Sequence, residues 1–185
     1  MKARLLITFL LYFNFCFSQK VEYKISFSGK QQSVTLIKNN KKYSGKITTY
    51  FFKEKSEKKI IDYKKIDKFT AKYIFEELSN KGFENIENCS ENKECSNTTY
   101  LDGDYTVLSV KINNIENKRI YPEIYPESEV KNLESTEVRR EVQKLITIVD
   151  LGLNLKEYFR LLLNKHGNGT CYWKGIYQTC IKYAH

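Results

Sequence analysis

Residues 100–127 read YLDGDYTVLSVKINNIENKRIYPEIYPE, and the fold expected for the chain is built around them. In residues 105–112 one set of alternate side chains is apolar and the other is mixed, which is typical of a half-buried strand. Asn113 and Asn114 then favour a turn, and residues 119–125 return as a second strand. The stretch therefore predicts a β-hairpin. Its expected core face carries Thr106, Leu108, Val110 and Ile112.

The only two prolines of the chain stand in two Tyr-Pro-Glu triplets, at residues 121–123 and 125–127. A proline ring fixes φ, lacks a backbone donor and drives the preceding residue into an extended conformation. The second strand is therefore expected at a sheet edge or a bulge. The repeat itself exceeds what a hairpin needs, so it is a candidate surface bearing Tyr121 and Tyr125.

Further strands are predicted on either side of a helix that precedes this hairpin. Alternating residues at 21–27, 34–38 and 43–52 indicate a three-stranded antiparallel meander. Ile60-Ile61 is a short apolar piece before the helix, and residues 83–87 are expected to add a brief strand.

Three helices are predicted from apolar stripes at helical spacing. They cover residues 68–80, from Ser135 or Thr136 to about Gly152, and 155–165. Asp67 is the expected N-cap of the first helix, and Gly82 stands where a left-handed C-terminal cap belongs. The pattern as a whole predicts one α+β domain over residues 19–185, with an antiparallel sheet packed against about three helices.

Residues 1–18 are typical of a secretory signal peptide. Lys2 and Arg4 precede an apolar run, residues 5–13, which is shorter than the roughly 20 residues needed to cross a bilayer. Small residues at alternate positions end the segment, so we expect cleavage after Ser18, in preference to an uncleaved anchor. The protein is then periplasmic or secreted, without stable membrane insertion after cleavage.

The cysteines beyond this segment predict two disulfides, because their number is even in an exported chain. They are Cys89, Cys95, Cys171 and Cys180. Placing Cys171 opposite Cys180 leaves Gly175-Ile176 as a two-residue loop, with glycine where a type II′ turn requires it. Cys89 then pairs with Cys95.

A metal site is the alternative use of these cysteines, with help from His166 or His185. The close Cys-x-x-Cys spacing of a zinc site is missing. We therefore predict no metal and no other cofactor.

The chain is basic, with a formal net charge of +9. Subtracting the cations Lys2 and Arg4 of the signal segment leaves +7. No run of five or six like charges marks a nucleic-acid tail, and outside a cell the available polyanions are envelope polymers, lipid headgroups and acidic proteins. The expected partner is a protein or an envelope polyanion or glycan, and not nucleic acid.

No pattern in the sequence identifies a catalytic residue. Asp102 and Asp104 flank a glycine, which is ordinary turn chemistry, and together with Glu123 and Glu127 they are the acids available for glycoside cleavage by a carboxylate pair. As a general base His166 would need a nucleophile and an orienting acid, and neither a Gly-x-Ser-x-Gly elbow nor a free reduced cysteine is present.

Aromatic residues are the more suggestive feature, because Tyr, Trp and Arg dominate interface hot spots and form flat contact platforms. The alternative is that these side chains pack in a sheet, where aromatics are favoured. The candidate binding residues are Tyr105, Arg119, Tyr121, Tyr125 and Trp173.

The signal ending Cys16-Phe17-Ser18-Gln19 and the richness in Lys, Asn, Ile and Tyr resemble exported proteins of Bacteroidota. The LDGDYT strand from Leu101, the Tyr-Pro-Glu exit and the following valine and leucine helix are similar to a loosely defined set of uncharacterised exported proteins of those bacteria. The resemblance covers residues 101–163 and implies export, but it brings no catalytic residues.

The first functional hypothesis is a non-enzymatic binding module for a protein or an envelope polymer, of which an inhibitor or immunity-type protein is one form. The alternative is an envelope glycan hydrolase that uses two of the acids named above. A cleft that held two such carboxylates would favour the enzyme, and an exposed Tyr and Trp surface would favour the binding module.

Overall fold

The computed structural model describes residues 19–54, 56, 58–96, 103–174 and 177–182. The predicted signal segment with its cleavage site after Ser18, Asp102, and the loop residues Gly175 and Ile176 lie outside the described residues. The elements in chain order are β1 (Lys20–Ser26), β2 (Gln32–Asn39), β3 (Lys42–Lys53), β4 (Lys59–Ile66), α1 (Lys68–Asn80), a 3₁₀ turn (Cys89–Glu91), α2 (Lys93–Ser96), β5 (Tyr105–Ile112), β6 (Ile115–Pro122), α3 (Glu137–Leu153), α4 (Leu155–His166), β7 (Thr170–Lys174) and β8 (Tyr177–Cys180).

The strands form one curled antiparallel sheet in the order β6-β5-β1-β2-β3-β7-β8, and β4 pairs with β3. Strand β3 has 12 residues and pairs with three other strands. It pairs with β2 from Lys42 to Thr49 and with β4 from Gly45 to Phe52. Because β4 occupies one edge of β3 at Phe52, β7 joins the edge that β2 leaves free, at Phe52 and Lys53.

Alternation along the strands separates a core face from an outer face. In β1, Val21, Tyr23 and Ile25 are buried, and in β5 Leu108 and Val110 are buried as predicted. Helix α1 packs on this core face, where the ring of Phe75 stacks on Tyr23 at 4.2 Å between centroids. Each strand thus gives one apolar face to the helices and one polar face to solvent.

Helix α1 begins and ends as its sequence predicts. Its N-cap Asp67 accepts hydrogen bonds from the backbone N–H groups of Phe69 and Thr70, both at 3.0 Å. At the other end Gly82 has φ +79°, and the N–H of Phe83 donates to Leu78 O at 3.0 Å. This Schellman arrangement requires a left-handed residue, which explains the glycine.

The predicted fold class is confirmed: the described chain has an antiparallel sheet, three helices of 12 residues or more, and both predicted disulfides. In the C-terminal hairpin Cys171 faces Cys180 and Trp173 faces Gln178, which is the predicted register. The Cys89–Cys95 bond closes the loop that holds the 3₁₀ turn and α2.

Three boundaries differ from the predictions. Residues 83–87 form a turn and irregular chain instead of a brief strand, because Phe83 leaves the left-handed cap of α1 and packs against Tyr23. The short apolar piece Ile60-Ile61 is part of the full strand β4. Strand β6 ends at Pro122, and the φ of +42° at Glu123 breaks the extended chain there.

Among the described residues no helix combines the length and the apolar character needed to cross a bilayer.

Candidate functional site

The outer face of the sheet holds a cleft of about 570 Å³, which we call the outer-face cleft. It crosses five adjacent strands, from β5 through β1, β2 and β3 to β4, and β7 closes it beside β3. The charged and aromatic residues that line it include Lys24, Tyr50, Lys59, Tyr63, Tyr105 and Trp173. These positions come from five strands, and Ser33 adds β2, so the cleft exists only in the folded sheet.

Cross-strand pairing explains why β3 and β4 place rings and ammonium groups together. Phe52 pairs with Lys59, and Tyr50 pairs with Ile61, so these side chains share the outer face. The Lys59 Nζ atom lies 4.3 Å from the centroid of the Tyr50 ring. That distance is a cation–π contact, which holds the ammonium group over the ring.

A buried glutamine fixes the aromatic residues of the cleft. Gln31 lies just before β2 and is 6% exposed. In the amide orientation that satisfies both groups, its Oε1 accepts from the Trp173 N–H at 2.6 Å and its Nε2 donates to Tyr50 O at 3.3 Å. The Tyr50 N–H in turn donates to Gln31 O at 3.0 Å. Gln31 therefore joins β3 to β7 where Trp173 enters the cleft.

The available charge in the cleft is positive. Within the described part of the chain Lys24 and Lys59 form no ion pair, whereas Lys30 is bound by Glu129 at 2.8 Å and by Asp150 at 2.9 Å. Of the described lining residues, Asp104 is the one carboxylate. Burial, followed by the negative charge of Asp104, raises the pKa of Tyr50, which keeps that phenol protonated.

Two of the five predicted binding residues, Tyr105 and Trp173, line the outer-face cleft. Tyr105 is 54% exposed, Trp173 is 43% exposed, and Tyr63 on β4 is 63% exposed. Side chains with this much free surface make few stabilising contacts of their own, and their rings are open to a ligand.

Two other predicted binding residues, Arg119 and Tyr121, are buried on the core side of β6. Arg119 donates to Phe83 O at 3.4 Å and to Glu84 O at 2.6 Å. The Tyr121 hydroxyl donates to Glu87 O at 2.7 Å, and burial raises the pKa of that hydroxyl. Both side chains hold the irregular chain after α1, so the structure does not bring them to the cleft.

The fifth predicted residue, Tyr125, belongs to a segment that we call the strap, residues 122–129. A polar stripe on α3 binds the strap through its backbone. Arg139 donates to Pro122 O at 2.7 Å, and Gln143 Nε2 donates to Tyr125 O at 3.1 Å. Further along, Thr147 Oγ1 accepts from the Glu127 N–H at 2.9 Å.

This arrangement gives the Tyr-Pro-Glu repeat a structural reason. A segment that lies on a helix instead of in a sheet must satisfy its backbone groups by other means. Proline removes a donor at residues 122 and 126, and the stripe on α3 supplies partners for several of the remaining groups. The repeat is therefore explained by its attachment to α3.

The four acids available to a hydrolase do not form a pair in the described part of the cleft. Asp104 lines it, Glu123 and Glu127 belong to the strap, and Asp102 lies outside the described residues. The Asp104 carbonyl accepts from the Glu123 N–H at 2.9 Å, which ties the strap to the start of β5.

His166 makes an ion pair with Asp62 on the core side of β4, and Lys165 reaches the same carboxylate at 3.1 Å. Burial alone would raise the pKa of the Asp62 carboxyl, but hydrogen bonds from His166 and Lys165 outweigh it and hold that pKa below its ordinary value. The imidazole also contacts the ring of Phe51. This cluster joins β4 to α4 on the face away from the cleft.

Sequence reasoning missed most of the cleft, namely Lys24, Gln31, Tyr50, Lys59 and Tyr63. Strand β4 carried one usable signal: in KIIDYKKI, Lys59, Ile61, Tyr63 and Lys65 alternate onto one face. Their pairing register with β3 is not visible in a single sequence.

Comparison with protein-family models, curated proteins and solved structures found no match for this chain. Among the residues that the structure describes, no group of three or more His, Cys, Asp or Glu side chains is placed to hold a metal ion. The outer-face cleft is therefore the feature of the molecule that bears on its function.

Proposed function

We propose that this protein is an exported, non-enzymatic binding module that holds an extended polymer of the cell envelope in the outer-face cleft. One observation carries the proposal: Tyr63, Tyr105 and Trp173 come from three strands and expose their rings around one polar, basic floor. Aromatic residues exposed in this way are typical of recognition surfaces.

Export is supported by the composition of residues 1–18 and by the two disulfides. Disulfides form and persist in oxidising compartments such as the periplasm and the extracellular medium. The polymers that the protein meets there are those of the envelope.

The dimensions of the cleft favour a chain-like ligand. It crosses five strands, and four interstrand spacings of about 4.8 Å correspond to a length of about 19 Å. Residues of six strands line this cleft on the outer face. A protein partner of standard size needs about 800 Å² of matching surface on each side, and a narrow polar cleft fits a single polymer chain better.

Binding is favoured over hydrolysis by the acids present. Glycoside cleavage uses two carboxyl groups at a defined separation. The described lining residues contribute one, Asp104. Glu123 and Glu127 are not among the described lining residues.

The experiment is co-sedimentation of the purified protein, without residues 1–18, with insoluble envelope polymers. We expect the double substitution Tyr105→Ala with Trp173→Ala to weaken retention about tenfold or more, since hot-spot aromatics each contribute 1 kcal/mol or more. The matched control is Phe69→Ala with Tyr73→Ala, two rings of α1 that are 73% and 62% exposed.

Equal retention of the wild-type protein and both variants would refute the proposal. Release of soluble sugars from the polymer by wild-type protein would establish the hydrolase instead.

A further inference from the structure

We infer that the polymer is a linear acidic polysaccharide, whose sugar rings stack on the aromatic side chains of the cleft while its carboxylates pair with Lys24, Lys59 and the Lys46–Lys65 pair. The inference rests on the proposed function and names the ligand of the same cleft.

Unpaired cations are the first reason. Lys24 and Lys59 line the cleft and form no ion pair in the described part of the chain, whereas Lys30 is bound between Glu129 and Asp150. A bound anion would therefore meet ammonium groups that no carboxylate of these residues already holds.

An unfavourable pairing in the sheet is the second reason. Lys46 on β3 stands directly opposite Lys65 on β4, in the register that places Tyr63 opposite Thr48 on the outer face. Like charges directly opposite each other destabilise a sheet. Neither lysine lines the cleft itself, but Lys46 lies beside the lining residue Tyr63, so a carboxylate bound between the two lysines would relieve that repulsion next to the cleft.

The placement of lysines over rings is the third reason. Lys46 Nζ lies 5.5 Å from the centroid of Tyr63, and Lys59 Nζ lies 4.3 Å from that of Tyr50. Aromatic and cationic groups therefore alternate along the wall formed by β3 and β4. A polymer that carries both a ring and a charge in each unit matches this alternation.

The floor of the cleft distinguishes a polysaccharide from the other anionic ligands. Ser26, Ser33 and Thr48 line it and carry hydroxyl groups, which donate and accept hydrogen bonds as sugar hydroxyls do. An acidic peptide brings charge without ring faces or hydroxyls. A lipid surface is too broad to enter a concave cleft.

Trp173 is the only tryptophan of the chain, so its fluorescence reports binding in the cleft directly. Three probes separate the contributions: polygalacturonate carries rings and carboxylates, its methyl ester keeps the rings without the charge, and poly-L-glutamate keeps the charge without the rings. We expect polygalacturonate to bind with an affinity that falls as salt is added, and the other two to bind about tenfold more weakly or worse.

Matched substitutions complete the test. We expect the double substitution Lys24→Ala with Lys59→Ala to weaken polygalacturonate binding about tenfold and to reduce its salt dependence. Lys59→Arg keeps the charge and should retain binding, which separates charge from folding. Lys72→Ala on α1, where the side chain is 54% exposed and outside the cleft, is the control and should bind as wild type does.

Equal affinity for the methyl ester would overturn the inference while leaving a neutral glycan as ligand of the proposed binding module. Equal affinity for poly-L-glutamate would also overturn it and point to an acidic protein. If no probe binds but envelope polymers still retain the protein through Trp173, the inference fails and the proposed function stands; if retention is also lost, both fail.

Discussion

The strap and the outer-face cleft both contain tyrosine, yet their polar groups have opposite roles. In the strap, side chains of α3 pair with the backbone from Pro122 to Glu127 and with the Ser128 hydroxyl, and Arg139 on α3 is 3% exposed. In the cleft, the rings of Tyr63 and Tyr105 are more than half exposed, and Lys24 and Lys59 form no ion pair within the described chain.

The Tyr-Pro-Glu repeat is the conspicuous motif of the sequence, whereas the candidate binding surface is the outer-face cleft. The Tyr-Pro-Glu repeat draws attention in the sequence because prolines are rare in the chain, but α3 accounts for it. The cleft consists of residues that are ordinary in sequence and become unusual only when six strands bring them together. Substitutions in the strap should therefore change stability, and substitutions in the cleft should change binding.

The largest effect on stability is expected from Arg139→Ala. Its guanidinium pairs with Glu134 at 2.6 Å and donates to the carbonyls of Pro122 and Glu123. Removing it leaves these acceptors without their donor, which should lower the free energy of unfolding by about 3 kcal/mol. Chemical denaturation measures this change.

The matched control for that measurement is Arg140→Ala, an exposed neighbour that donates to Glu134 O at 3.0 Å. It should change stability by about 0.5 kcal/mol or less. One outcome would contradict the separation of strap and cleft: natively folded Arg139→Ala protein that loses polymer binding as severely as Trp173→Ala protein does.

A smaller effect is expected from removing one hydroxyl group just before the strap and one in the outer-face cleft. Tyr121→Phe deletes the hydroxyl of a buried side chain and its hydrogen bond to Glu87 O, so stability should fall by about 1 kcal/mol with binding unchanged. Tyr105→Phe removes an exposed hydroxyl and should leave the free energy of unfolding within about 0.5 kcal/mol of wild type. Equal losses of stability in the two variants would show that the Tyr121 bond is not what distinguishes these sites.

The smallest effect concerns the opposite face of β4, where Asp62 is held by His166 and Lys165. The pKa of Asp62 is lowered in the folded protein, so the stabilisation is present above the ordinary aspartate pKa of about 4 and is lost as the pH falls through the lower folded value. Unfolding curves at pH 7 and pH 3 should show a smaller acid loss for Asp62→Asn than for wild type. An unchanged acid loss would show that this ion pair contributes nothing, and binding in the cleft should not change in either case.

Much of the fold follows from local patterns. Alternation located β1, β2, β3 and β5, the Asp67 and Gly82 signals bounded α1, and the register argument gave the Cys171–Cys180 pairing. Strand β4 was recognised only as Ile60-Ile61 because four of its eight residues are charged, which hides its apolar alternation. The prediction of a brief strand at 83–87 was wrong because backbone carbonyls there accept hydrogen bonds from Arg119, a contact that no local pattern shows.

The site was less accessible from sequence than the fold. Tyr105 and Trp173 were predicted from residue type alone, but Lys59 and Tyr63 enter the cleft only through the pairing of β3 with β4. Arg119 and Tyr121 have the same favourable residue types and are buried, because alternation on β6 points them to the core. Residue type indicates which side chains are suited to binding, and the pairing of the strands decides which of them reach the cleft.

The hairpin that carries Trp173 makes few backbone contacts with the rest of the sheet. The hairpin β7–β8 meets the rest of the sheet through two residue pairs of β3 and the Gln31 amide, and its own strands are joined by Cys171–Cys180. An isolated two-stranded hairpin is marginally stable in water. Because the Cys171–Cys180 bond joins the two strands, its reduction should loosen the hairpin and release Trp173 from its fixed position beside the cleft.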